Sequence, residues 1–176
     1  GTLRGIIELY ETLYPAPMAP TYAIGNHDRR RVMSRLNGNV GLARLLALFQ
    51  FTARGVPITY NGDEIGIPDG FFPHRGAKDS VAHAYWWVPR GLARFLGLYI
   101  NRDGCRTPMQ WDDTPNAGFS SGTAAPWLPV HCDYRSTNVK RQLMDEYSLI
   151  NNSRNILRVR KENPALRRGS MAILDI

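Results

Sequence analysis

Hydrophobic positions along this chain fall into a few patterned segments separated by one long stretch without a period. Leu3, Ile6, Ile7, Tyr10, Leu13 and Tyr14 recur at three- and four-residue spacing, which predicts an amphipathic helix at the start. Pro15, Pro17 and Pro20 end it, since proline lacks the amide a helix ladder needs, and lead into a short β-favouring run, Thr21-Tyr22-Ala23-Ile24. Asn39 is a good helix cap, and Val40 to Ala53 is apolar almost all round, the pattern of a helix buried on most sides. Gly55 closes that helix. Val56-Pro57-Ile58-Thr59-Tyr60 reads as a second strand, with its proline near the start where a missing donor is tolerated.

Helix, strand, helix, strand is the order of a parallel α/β sheet with crossover helices, so the predicted fold class is α/β. From residue 61 to about residue 143 the regularity stops, and Gly, Pro, Trp and Asn concentrate there. An excursion of that length after a strand is usually a functional loop, and one short helix is expected within it, around Trp87 to Leu98. A further helix is predicted from about Tyr147 to Glu162, with Leu149, Ile150, Ile156 and Leu157 on one face and Asn163-Pro164 as its stop. Ser170 to Ile176 reads as a last strand.

With 43% hydrophobic and 21% charged residues, the 176-residue chain has ordinary globular composition and enough length for one real core. No segment approaches the roughly 18 apolar residues of a membrane span, so no membrane partner is expected. The chain opens on Gly1 rather than Met and lacks a signal-peptide core, which leads to the expectation that it is cut from something longer. A net charge of +7 raises nucleic acid as a partner. The densest basic clusters (Arg29 to Arg31, Arg158 to Lys161, Arg167-Arg168) lie far apart, however, and no RNA-binding or zinc-finger signature accompanies them. The expectation is no nucleic acid, only a solvated or substrate-facing basic surface. Cys105 and Cys132 sit in no C-x-x-C and read as free thiols of a reducing compartment, hence a cytoplasmic protein. The four histidines are scattered, so no metal site is expected.

In parallel α/β sheets, ligands bind beyond the C-terminal ends of the strands. Asn26-His27-Asp28 and Asn61-Gly62-Asp63-Glu64 both occupy that place, and neighbouring strands bring them to one rim. Asp28 is a candidate for stabilising a cation or gripping paired sugar hydroxyls. His27 can donate to a hydroxyl, or be no more than a satisfied turn histidine. In the segment 101–113, NRDGCRTPMQWDD, Arg102 adjoins Asp103 and Arg106 follows one turn later; a guanidinium there can orient a carboxylate bidentately. Trp111, Phe119 and Trp127 offer flat faces suited to sugar rings, though each taken singly reads as a core residue first.

Together, GNHDRRR, GVPITYNGDEIG, INRDGCRTPMQWDDTPNAGF and PWLPV make the chain resemble the alpha-amylase family of glycoside hydrolases over nearly its whole length, most closely its α-glucosidase and oligo-1,6-glucosidase branch. The resemblance implies a partial (β/α)8 TIM barrel: the last two strand–helix units plus a long loop excursion after the final strand. Residues 1–168 would be the C-terminal portion of the catalytic domain and 169–176 the start of a C-terminal β-domain. It also implies that Asp28 holds hydroxyls of the glucose whose bond is cut and stabilises the transition state. His27 and Arg102 would bind the same sugar, and Arg31 would support them from behind.

A retaining glycosidase needs two carboxyl groups about 5–5.5 Å apart. The family places them after strands four and five, and nothing here matches those motifs; a full barrel takes about 250 residues. Asp63, Glu64 and Asp103 match positions with supporting roles in the family. The expectation is therefore part of a retaining α-glucosidase acting on α-glucosides or malto- and isomalto-oligosaccharides, inactive alone, with linkage and transfer chemistry left open. No organic cofactor is implied, and no calcium ligand set is visible. Unpaired apolar edges predict self-association or a complementary barrel chain. The competing reading is a non-catalytic amylase-like partial-barrel binding or partner protein.

Overall fold

The computed structural model describes residues 3–173. Its elements run α1 (Leu3–Leu13), β1 (Thr21–Ala23), α2 (Val32–Arg35), α3 (Val40–Thr52), β2 (Val56–Ile58), α4 (Ser80–Ala84), α5 (Arg90–Phe95), α6 (Val139–Leu143), α7 (Leu149–Glu162) and α8 (Ala165–Arg168). Tight 3-10 turns occupy Asp63–Ile65, Arg102–Arg106 and Pro115–Gly118. β1 and β2 pair in parallel, Thr21 opposite Val56 and Ala23 opposite Ile58. Parallel neighbours need a crossover between them, and α2 and α3 supply it.

One polar residue explains how α3 sits on this sheet. Gln50 is buried, and its Nε2 donates to the carbonyls of Tyr22 in β1 (3.0 Å) and Ile58 in β2 (2.6 Å). Tyr22 stacks on Tyr10 of α1 (5.5 Å between centroids) and meets the edge of Phe49 of α3 (5.3 Å). On the other side α3 packs against α7. There the buried Arg160 donates to the carbonyls of Phe51 and Ala53 (3.0 Å each), Leu166 (2.7 Å) and Gly55. Those of Phe51 and Ala53 are among the carbonyls that the end of α3 leaves without partners, so a guanidinium acts as its C-terminal cap. Burial, then the charge of Arg167, pulls the Arg160 pKa downward.

The apolar core is three small clusters: Met33, Ala43 and Leu149; Ile65, Ile67 and Met109; and Ala82, Ala93 and Ile100. A two-stranded sheet covers only a strip of a helix. Accordingly α3 buries Ala43, Gln50 and Phe51 alone, while Leu42, Leu45 and Leu48 are 45–58% exposed, against the expectation of burial on most sides. α1 buries no residue at all. The chain exposes 11254 Å², where a compact 19.9 kDa protein exposes about 8,700 Å².

Other boundaries differ for local reasons. β2 ends at Ile58 rather than Tyr60, and the Tyr60 hydroxyl turns to donate to the Cys105 carbonyl (3.0 Å). The helix expected over Trp87 to Leu98 is confined to α5, with α4 separate, because Pro89 has no amide to continue a helix through it. α7 begins at Leu149, since Ser148 caps it through the Asn151 amide (3.3 Å), and Leu157 on its supposed inner face is 41% exposed. Residues 170–173 form no strand, and 174–176 of that expected strand lie outside the described residues. Among the described residues, no helix is long and apolar enough to cross a membrane.

Candidate functional site

The chain leaves β1 through Ile24 and Gly25 into an Asx turn, in which the Asp28 amide donates to Asn26 Oδ1 (3.0 Å). This turn presents His27 and Asp28 outward; the Asp28 side chain is 51% exposed. The 3-10 turn Arg102–Arg106 packs against it. Arg102 Nη1 donates to Asp28 Oδ1 at 2.8 Å, and Arg106 Nη2 reaches the same oxygen at 3.2 Å. Arg106 Nε (3.0 Å) and Cys105 Sγ (3.2 Å) donate to the His27 carbonyl, fixing the turn from below. His27 Nε2 stands 3.4 Å from Asp28 Oδ2. Asp28, His27 and Arg102, singled out from the sequence, are thus brought together across 74 residues of chain.

The arrangement has an electrostatic direction. The hydrogen bond from Arg102 holds the Asp28 carboxyl below the usual carboxylate range, so at neutral pH it is an anion. Oδ1 is committed to two guanidiniums, while Oδ2 faces the imidazole edge. Such a carboxylate can accept hydrogen bonds from hydroxyls or stabilise adjacent positive charge; it cannot deliver a proton.

Behind it lies a residue the sequence reading did not single out. Asp79, which is 1% exposed, accepts from Arg102 Nε (2.9 Å), Nη2 (2.6 Å) and the Arg102 amide (2.8 Å). Burial pushes the Asp79 carboxyl up, but hydrogen bonds from Arg102 and Val81 outweigh that and hold it at about 2. The guanidinium is correspondingly raised, first by Asp79 and then by Asp28. The available signal was Asp79-Ser80 placed as a cap before Val81-Ala82.

Arg31 lies buried beneath these loops. It is 1% exposed, lies over the Tyr60 ring, and donates to the carbonyls of Asn61 (2.7 Å) and Thr107 (3.1 Å). One side chain therefore ties together the loop after β1, the loop after β2 and the third motif. Gly62 makes room for it: with φ at 90°, its missing Cβ would stand 2.7 Å from Arg31 Nη1.

The remaining carboxylates face elsewhere. Asp103 is 1% exposed and accepts the Lys78 amide (2.7 Å). Glu64 Oε2 accepts the Gly62 amide (2.8 Å). Asp63 packs against Gly25, with Oδ1 sealed from solvent and without a partner. Burial pushes its pKa up to about 6, with Arg31 opposing and Glu64 adding. Trp111, Phe119 and Trp127, each read as core first, stand 50%, 49% and 65% exposed. Among the described residues, no group of three His, Cys, Asp or Glu side chains is placed to hold a metal ion.

Comparison with known proteins gives a consistent picture. The family model described as "Alpha amylase, catalytic domain" matches residues 2–169. An oligo-1,6-glucosidase of Parageobacillus thermoglucosidasius is 34% identical over 165 residues, covering 86% of this chain and 29% of that protein. Maltase 1 of Drosophila virilis is 34% identical over 164 residues, 93% of this chain and 24% of its own length. Among solved structures, the trehalulose synthase MutB of Pseudomonas mesoacidophila MX-45 superposes with a TM-score of 0.79 at 31% identity, over 95% of this chain and 32% of that one. The chain thus spans about a quarter to a third of the proteins it matches.

Proposed function

The chain belongs to the alpha-amylase family of glycoside hydrolases, whose catalytic domain is a (β/α)8 barrel, and from that premise we propose that it is the C-terminal part of a retaining α-glucosidase's barrel. On this reading residues 1–168 supply the last two strand–helix units and 169–176 begin a C-terminal β-domain. The substrate is an α-glucoside or a malto- or isomalto-oligosaccharide. Asp28 stabilises the positive charge that develops on the sugar ring and grips its hydroxyls, while His27 and Arg102 bind the same ring. The nucleophile and acid/base come from strands that this chain does not supply, so the chain alone is inactive. The two free thiols, Cys105 buried and Cys132 exposed, suit the cytoplasm.

The observation that carries the proposal is the half-exposed Asp28 at the C-terminal end of a parallel strand, anionic and held on one oxygen by Arg102 and Arg106. An oxocarbenium-like transition state calls for such a group: a preorganised negative charge that is not consumed in the reaction.

The test is a chimera in which this chain replaces the matching segment of the P. thermoglucosidasius oligo-1,6-glucosidase. Hydrolysis of an aryl α-glucoside is expected, with a loss of about 100-fold or more in Asp28→Asn. A folded chimera without activity, or one indifferent to Asp28→Asn, overturns the assignment. The isolated chain is expected to release no aryl alcohol. Release that disappears in its Asp28→Asn variant would mean that the chain is competent by itself.

A further inference from the structure

Arginine side chains are long and lose much rotamer freedom when fixed in one geometry. Arg102 reaches Asp28 from a separate loop, so something has to hold it there. We infer that Asp79 is a positioning residue: it grips the Nε–Nη2 edge of Arg102 and leaves Nη1 as the edge presented to Asp28 and to any ligand bound beside it. Its bearing on sugar binding rests on the function proposed above, whereas the positioning itself does not.

Three features carry the inference. Asp79 meets Arg102 as a fork meets a fork: Oδ2 takes Nε at 2.9 Å and Oδ1 takes Nη2 at 2.6 Å, which sets the plane and direction of the guanidinium. Oδ2 also takes the Arg102 amide at 2.8 Å, so both ends of the arginine are pinned to one carboxylate. Asp79 is itself immobilised, because Oδ1 accepts the Val81 amide (3.2 Å) as the cap of α4, whose Ala82 is fully buried against Ala93 and Ile100. The neighbouring residues repeat the exchange in reverse: Asp103 Oδ2 accepts the Lys78 amide at 2.7 Å. Residues 78–79 and 102–103 are thus stapled twice, each by the other's carboxylate. The part of the long excursion around α4 has a purpose in these terms, which is to carry the carboxylate that aims Arg102.

The experiment reads the Asp28 carboxyl by carbon-detected NMR titration in the whole chain, so it needs no sugar chemistry. The charged groups facing Asp28 are His27, Arg102 and Arg106. Asp79→Asn keeps an acceptor for the Val81 amide but sets an NH2 group against the donors of Arg102. The Asp28 midpoint is then expected to move upward although all three of its neighbours remain, and to move upward in Arg102→Gln as well. Loss of the Asp79 charge by itself moves Asp28 downward, so only a misaimed Arg102 accounts for an upward shift. A midpoint that rises in Arg102→Gln but stays at or falls below the parent value in Asp79→Asn overturns the inference. Should Asp79→Asn fail to fold, the parent chain decides. Arg102 is expected to show slowed guanidinium rotation with resolved Nη signals, unlike the exposed Arg29; averaging of the two alike overturns it. In the chimera, Asp79→Asn is expected to weaken activity in parallel with the shift. An inactive parent chimera beside a shifted Asp28 would refute the proposed function and leave the positioning intact.

Discussion

Replacing Asp63 by asparagine should stabilise the chain at neutral pH, and the amount follows from its surroundings. Asp63 sits beneath Gly25 with Oδ1 buried and without a partner, and burial raises its pKa from 3.8 to about 6 in the folded chain. A raised carboxyl means that the fold favours the protonated form. The stability it contributes is fully present below the unfolded pKa of about 4 and is lost as pH rises through about 6. Two units at about 1.4 kcal/mol each put the loss at about 3 kcal/mol by neutral pH. A side-chain amide stays neutral throughout, so Asp63→Asn should match the parent near pH 4 and exceed it by up to about 3 kcal/mol near pH 7. The assay is urea unfolding followed by fluorescence of the four tryptophans, at one protein concentration and a series of pH values. A difference between the two proteins that is constant with pH would refute the reasoning, as would a less stable variant at neutral pH.

Two further outcomes follow from packing. Arg160→Met should cost about 2–4 kcal/mol in the same urea assay, because it leaves the carbonyls of Phe51, Ala53, Gly55 and Leu166 without their donor, with Arg160→Lys recovering part of the loss. The chain should also associate with itself or, on the proposed function, with a chain supplying the other barrel strands. Its surface exceeds that of a compact protein of its mass by an area as large as a stable interface, and sedimentation velocity showing a clean monomer across micromolar concentrations would argue against it.

How much of this was legible in the sequence depended on whether a signal was local. α1, α3 and α7 announced themselves by periodicity together with end signals: the prolines after α1, Asn39 before α3 and Asn163-Pro164 after α7. The parallel pairing followed from element order alone. Gln50, the one amide in a largely apolar helix, held information that periodicity discards, since it is the bond from that helix to both strands. Asp28, His27 and Arg102 were readable because each lies in a dense motif. Asp79 was not, because it lies in an aperiodic stretch and its partner is 23 residues away. The burial of α3 was overestimated for a different reason: a largely apolar sequence states what a helix would bury, whereas the sheet available decides what it does bury.

That last point bears on the site itself. On the function proposed above, the apolar surfaces left open on α1, on α3 and along β1 and β2 belong to the layers of a barrel. The polar framework at the strand ends does not depend on them. Arg31 joins three loops through backbone carbonyls, Asp79 and Asp103 exchange amides with the opposing segment, and Asp28 is set by guanidiniums from its own chain. Directional bonds between buried charged groups and main chain specify a geometry locally, whereas hydrophobic burial is non-directional and needs enclosing layers. On the function proposed above, the part of the pocket carried here forms before the barrel closes, and closure by the remaining strands adds the reacting carboxyls to a stabilising carboxylate already aimed.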